Sequence, residues 1–164
     1  MTQKLLFVCL GNICRSPSAE GIMNHLLQQE QLTHAICCDS AGTSSYHIGA
    51  APDRRMAAAA LRQGIVLTGN SRQVQPADFA TFDWILAMDR QNYEDLLRLN
   101  RTPQSSPKIH LICDFCTAHN DQEVPDPYYG GASGFDYVID LLLDACTGLL
   151  HHLQPQVASR HRSR

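Results

Sequence analysis

A cysteine and an arginine stand six positions apart in the segment CLGNICRS, at Cys9 and Arg15, with Gly11, Asn12 and Ser16 around them. A thiolate is a strong nucleophile, and a guanidinium is a planar fork that can hold two oxygens of one phosphate. The run Leu5, Leu6, Phe7 and Val8 just before the segment reads as a buried parallel strand. The following SAEGIMNHLLQQ reads as an amphipathic helix. A short loop from strand to helix aims several backbone N–H groups at one point, and the helix N-terminus adds partial positive charge there. The expectation is an anion site that a cysteine opens and an arginine closes, suited to phosphoryl transfer through sulfur.

The same donors, with Arg15 beside them, favour the thiolate form of Cys9. Gly11 and Asn12 suit a loop that needs unusual backbone angles, since both tolerate the left-handed region. The Asn12 amide is placed to hold the loop by hydrogen bonds, and Ser16 to donate one to the sulfur. Leu10, Ile13 and Cys14 complete the phosphate-binding loop. A departing tyrosyl oxygen has a pKa of about 10 and an alkoxide is worse, so the reaction needs an acid. Asp126, in the segment VPDPYYGG, is the candidate by type, with Tyr128 and Tyr129 as pocket walls. The same carboxylate then activates water against a phosphocysteine. The loop amides and Arg15 already neutralise the transferring group, so neither metal nor cofactor is required.

Positioning these groups takes a scaffold. Residues 4–8, 35–39, 84–88 and 108–112 read as strands, and residues 18–31, 54–63, 90–99 and 135–153 as helices. Such alternation predicts a single-domain α/β sandwich, a four-stranded parallel sheet with helices on both faces. Ligands of such sheets bind beyond the C-terminal strand ends, where strand order reverses. Ser40 and Asp89 end two of the runs and are expected at the same crevice as Cys9. The loops at 41–53 and 119–134 carry further chemistry, Tyr46 in the first and Asp126 in the second. The domain is expected over residues 1–155, with a short basic tail at 156–164 that is frayed and solvated.

The formal charge is −3, but the first 150 residues carry ten basic and sixteen acidic side chains. A body this acidic excludes a nucleic-acid partner. No apolar stretch approaches the roughly 18–20 residues of a membrane span, and the first ten residues lack a signal-peptide layout. The expected compartment is the cytoplasm, where the seven cysteines stay reduced. Cys37 and Cys38 read as strand packing. His110, Cys113, Cys116 and His119 form H-x₂-C-x₂-C-x₂-H, but a strand would point His110 and Cys113 to opposite faces. A zinc module is therefore set aside.

LFVCLGNICRSPSAE, DSAGTSSYHIGAAPDRR, FDWILAMDRQNYEDL and VPDPYYGGASGFDYVIDLL together resemble the low-molecular-weight protein tyrosine phosphatases, in collinear order from residue 5 to 152. The resemblance implies phosphotyrosine hydrolysis without a cofactor. It implies Cys9 as nucleophile, Arg15 as phosphate clamp, Asp126 as general acid and then base, and support from Asn12, Ser16, Ser40 and Asp89. Cys14 looks like that family's second thiol, which captures an oxidised Cys9 as a reversible disulfide. The implied partners are phosphotyrosine-containing proteins, with Tyr128 and Tyr129 as candidate acceptors for a tyrosine kinase, and the implied state is a monomer with at most weak self-association. Two positions depart from the family pattern. Tyr46 stands where many relatives carry tryptophan on the rim, and GNSRQ (69–73) lacks a histidine that many carry.

Two rivals share the loop. An arsenate reductase would relay a disulfide through further cysteines, yet the Cys113–Cys116 pair follows the fourth predicted strand, and reductases lack the DPYY loop. A protein-arginine phosphatase carries threonine at the position of Ile13, so Ile13 favours phosphotyrosine.

Overall fold

Seven residues, QKLLFVC, form β1 (Gln3–Cys9), an inner strand of a four-stranded parallel sheet. Leu5, Phe7 and Cys9 enter one core, and Leu6 and Val8 enter the other. Both faces are covered, which is why the strand is apolar from Leu5 to Cys9 instead of alternating. The structure, a computed structural model, describes residues 2–162, and for Tyr129, Ala132 and residues 158–162 it describes the backbone alone. The expected rim position of the Tyr129 side chain and the basic side chains of the tail lie outside the described residues.

The remaining strands are β2 (Ile36–Gly42), β3 (Trp84–Ala87) and β4 (Ile109–Leu111), in the order β2-β1-β3-β4. The helices are α1 (Arg15–Gln29), α2 (Arg54–Arg62), α3 (Asp78–Thr81), α4 (Arg90–Leu99) and α5 (Ala132–Arg162). Ile22, Met23 and Leu27 of α1, Met56 and Ala60 of α2 and Val138 to Leu153 of α5 fill one face. Phe79 of α3 and Leu96 of α4 help to fill the other. The expected three-layer α/β sandwich is what forms, and β1 ends where strand order reverses. Helix α5 is longer than its pattern predicted, running on through Pro155 to Arg162. Cys38 packs against the core as expected, whereas Cys37 is exposed, because the outer strand β2 turns that residue to solvent.

Helix α5 also anchors the end of the sheet. A Cβ at Gly148 would lie 1.8 Å from the carbonyl oxygen of Phe115, in the 3₁₀ turn Ile112–Phe115. Backbone meets backbone there, so no side-chain rotation relieves the clash. Gly148→Ala is expected to cost about 1–3 kcal/mol, read as a lower urea midpoint at unchanged slope. An unchanged midpoint would contradict this packing.

Just beyond that turn, the Asp144 carboxylate of α5 accepts the backbone N–H groups of Thr117, Ala118 and His119 and lies 2.8 Å from His119 Nδ1. The root of the 119–134 loop is thereby clamped. Burial opposes the Asp144 charge, but the Thr117 N–H, the His119 ring and their neighbours hold its carboxyl well below the usual range. His119 is raised above its ordinary 6.5, first by its bond to Asp144. The histidine's contribution is complete below 6.5 and fades as pH climbs past its raised folded value. The aspartate's contribution is complete above its ordinary 3.8 and fades in stronger acid. Asp144→Asn should therefore lower the thermal midpoint more near about pH 5 than near about pH 9. Equal losses at the two pH values would remove the ionic part of the clamp.

Candidate functional site

Cys9 is the last residue of β1, and Arg15 is the first of α1, so strand and helix bracket a five-residue loop. No side chain caps α1, which leaves its first N–H groups pointing into the loop. Ser16 Oγ lies 3.0 Å from Cys9 Sγ, and the Asn12 N–H donates to the same sulfur at 3.2 Å. The Asn12 N–H, and the Ser16 hydroxyl when it donates, set polar hydrogens against the sulfur. Asn12 has φ 56°, the left-handed conformation expected of it. Gly11 does not share that conformation; a Cβ there would sit 2.9 Å from the His47 ring, which would have to shift. Gly42 is tighter, with a Cβ 2.7 Å from the Leu10 carbonyl oxygen.

The Asn12 side chain is the keystone of the loop. Its Nδ2 donates to Ser16 Oγ at 2.8 Å and to Ser40 Oγ at 3.0 Å, and its Oδ1 accepts the Arg72 N–H at 3.0 Å. Ser71 Oγ donates to the Gly11 carbonyl at 3.0 Å. The 69–73 segment therefore supports the loop without an imidazole, through Ser71 and the Arg72 backbone. Beside it lies a polar cavity of about 150 Å³ lined by Asn12, Glu20, Asp39, Ser40 and residues 68–71. Burial, and then the nearby Asp39 carboxylate, push Glu20 up to about 7.

Arg15 is 3% exposed, and its orientation is fixed from one side. Nη1 donates to Asp89 Oδ2 at 2.5 Å and to the Val124 carbonyl at 3.1 Å. With Nη1 used, the Nε–Nη2 edge remains as the fork for an oxyanion. Burial works against the Arg15 charge, but Cys9, Asp89 and Asp126 outweigh it and raise its pKa further. Asp89 also caps α4, accepting the Asn92 N–H at 2.7 Å. One carboxylate thus serves the helix and the clamp. Asp126 Oδ2 stands 3.6 Å from Arg15 Nη2, and the Val124 N–H bonds the Met88 carbonyl at 2.8 Å, tying the acid loop to the end of β3.

Cys9, Ile13, Cys14, Arg15, Tyr46, His47, Asp126 and Tyr128 line a cavity of about 110 Å³ together with Leu10, Gly11 and Ser44. The structure brings together the expected nucleophile, clamp, acid and rim. Tyr46 is 83% exposed, standing on the rim more than in it. Burial, followed by Asp53 and Cys9, pushes the Cys14 thiol up to about 12. His47 and Arg55 were not singled out from sequence. The Arg55 guanidinium lies 5.6 Å from the Tyr128 ring centre and braces the rim; its signal was Asp53-Arg-Arg, a capped helix start whose arginines could equally face solvent.

The H-x₂-C-x₂-C-x₂-H segment is not gathered as ligands. β4 ends before Cys113, so the strand argument does not reach that residue, but His110 stacks on Trp84 at 4.8 Å instead. Among the described residues, no group of three or more His, Cys, Asp or Glu is placed to hold a metal ion.

Fold and site together define an α/β protein with an anion-binding loop built around a thiol. Residues 4–159 match the family described as low molecular weight phosphotyrosine protein phosphatase. The chain belongs to that family of protein phosphatases. It is 54% identical over 156 residues to a putative low molecular weight protein-tyrosine-phosphatase of Synechocystis sp., covering 95% of this chain and 99% of that one. A crystal structure of a protein tyrosine phosphatase from Entamoeba histolytica, with Hepes in the active site, is similar at a TM-score of 0.92 and 49% identity, covering 94% and 99% of the two chains. A crystal structure of a Drosophila arginine phosphatase is similar at a TM-score of 0.87 and 34% identity, covering 93% and 98%.

Proposed function

We propose that the protein hydrolyses phosphotyrosine monoesters in proteins through a phosphocysteine intermediate. Cys9 attacks phosphorus in line with the tyrosyl oxygen while Arg15 and the loop N–H groups hold the three equatorial oxygens. Asp126 protonates the departing phenolate, and Ser16 and the Asn12 N–H later stabilise the sulfur as it leaves. Asp126 then removes a proton from the water that attacks the phosphocysteine, releasing phosphate. The observation that carries this reading is the convergence of Cys9, Arg15 and Asp126, from three separate parts of the chain, on one cavity.

Ile13 and the rim favour an aromatic substrate. Ile13 lines the cavity with an apolar surface, and Tyr46, His47 and Tyr128 extend it outward. The likeness to an arginine phosphatase makes phosphoarginine the competing substrate. Steady-state kinetics on matched phosphotyrosine and phosphoarginine peptides separate the two. A kcat/KM preference of about 100-fold or more for phosphotyrosine is expected. A preference for phosphoarginine would overturn the assignment.

Cys14, in the same cavity, is the proposed partner of an oxidised Cys9. Held as a neutral thiol at rest, it loses one of the charges that raise it when Cys9 becomes sulfenic acid. A cytoplasmic setting, where such thiols stay reduced, completes the reading. Among the described residues, no helix is long and apolar enough to cross a membrane.

A further inference from the structure

The phosphatase reading absorbs Cys9 and Cys14 but leaves Cys113 and Cys116 without a role. These two close the 3₁₀ turn after β4, where the Cys116 N–H donates to the Cys113 carbonyl at 3.1 Å. Neither lines the cavity of Cys9. We infer that Cys113 and Cys116 are a second redox-active dithiol, which closes to an intramolecular disulfide by exchange with a low-molecular-weight disulfide.

The turn brings the two residues within reach of each other. A turn with an i to i+3 hydrogen bond keeps its end Cα atoms within about 7 Å, and a disulfide spans about 4.4–6.8 Å. The two thiols lie close enough for each to shift the other's pKa. Cys116 is half-buried and reachable, whereas Cys113 is buried. Their roles in exchange follow. The Cys116 sulfur attacks one sulfur of the small disulfide, forming a mixed disulfide and releasing one thiolate, which takes up the Cys116 proton. The Cys113 sulfur then attacks Cys116, expels the second small thiol and gives up its own proton to it. Two protein thiols are oxidised, and one small disulfide is reduced to two thiols.

Burial, followed in each case by a neighbouring negative charge, pushes Cys113 up to about 12 and Cys116 up to about 11. A reduced form whose thiolates are not stabilised favours the disulfide at equilibrium, although exchange is slow. The next three N–H groups, of Thr117, Ala118 and His119, are those that Asp144 clamps. The new bond would staple the root of the loop that carries Asp126.

Wild type and Cys9→Ser are equilibrated in glutathione buffers from fully reduced to glutathione disulfide alone, then alkylated and mapped by peptide mass. The expected result is a 113–116 peptide lighter by two hydrogens and closed to alkylation in both proteins, rising with oxidant and reversed by dithiothreitol. Cys116→Ser, its fold checked by circular dichroism, is expected to keep Cys113 as a free thiol. Full alkylation of both cysteines in glutathione disulfide would overturn the inference, as would separate glutathione adducts that never close. Because Cys9→Ser carries the same readout, such a failure leaves the phosphatase reading untouched.

Discussion

Cys9→Ser is expected to lose on the order of 10⁴-fold or more in kcat toward an aryl phosphate. A serine hydroxyl can occupy the same place beside Ser16 Oγ and the Asn12 N–H. Those donors, however, stabilise negative charge on sulfur, and a hydroxyl, a far weaker acid than a thiol, has no comparable anion to offer. Among the described residues, no carboxylate or imidazole is hydrogen-bonded to the Cys9 sulfur to serve as base for a serine there, and Asp126 faces Arg15. Phosphate binding should survive, since Arg15, the loop N–H groups and the uncapped start of α1 are unchanged. Steady-state turnover with phosphate inhibition of any residual rate separates the two effects. A serine variant that keeps most of its turnover would require a different nucleophile.

The second large effect is expected at Asp126→Ala, and its size should depend on the leaving group. With phosphotyrosine, whose phenol has a pKa of about 10, loss of the acid should cost about 10²–10⁴ in kcat. With p-nitrophenyl phosphate the phenolate departs with little protonation, so the first step should suffer less. The second step still lacks its base, and hydrolysis of the phosphocysteine becomes limiting. Asp126 also places negative charge 3.6 Å from the clamp. Removing it should leave phosphate binding as tight as in wild type or tighter. An equal loss for both substrates with weaker phosphate binding would mean that Asp126 shapes the pocket without transferring a proton.

Local chemistry made the core of this site legible. The apolar run of β1, the glycine and asparagine of the loop and the hydroxyl after Arg15 all carry their meaning within the twelve residues from Leu5 to Ser16. The start of α1 did not. The helix begins at Arg15, three residues before the pattern read from sequence, and takes Pro17 into its first turn, where a missing N–H costs nothing. β2 runs on to Gly42 because its pairing with Cys9 holds a weak strand sequence in place, which no local preference reveals. Helix α3 has only four residues, too few for a period.

Contacts far apart in sequence account for the rest. Ser71 and the Arg72 backbone reach the loop across 60 residues, and nothing in GNSRQ announces it. His47 sits against Gly11 for the same reason, that the 41–53 connection folds back over the loop. Its neighbours give the fold-back away only in three dimensions, where the Thr43 and Ser44 N–H groups bond the Cys9 and Leu10 carbonyls. Asp89 was expected at the crevice, but its grip on Arg15 needed β3 and β1 to be set side by side. A linear pattern identifies the nucleophile and the clamp; the fold decides what holds them.

The most direct test of a phosphocysteine at Cys9 is a rapid-mixing experiment on Asp126→Ala with p-nitrophenyl phosphate, followed by acid quench and peptide mass mapping. The account predicts a burst of p-nitrophenol approaching one equivalent of enzyme, then slow turnover, with one phosphoryl group on the peptide containing Cys9. Release without a burst and no phosphoryl group on that peptide, or a phosphoryl group on any other residue, would contradict it.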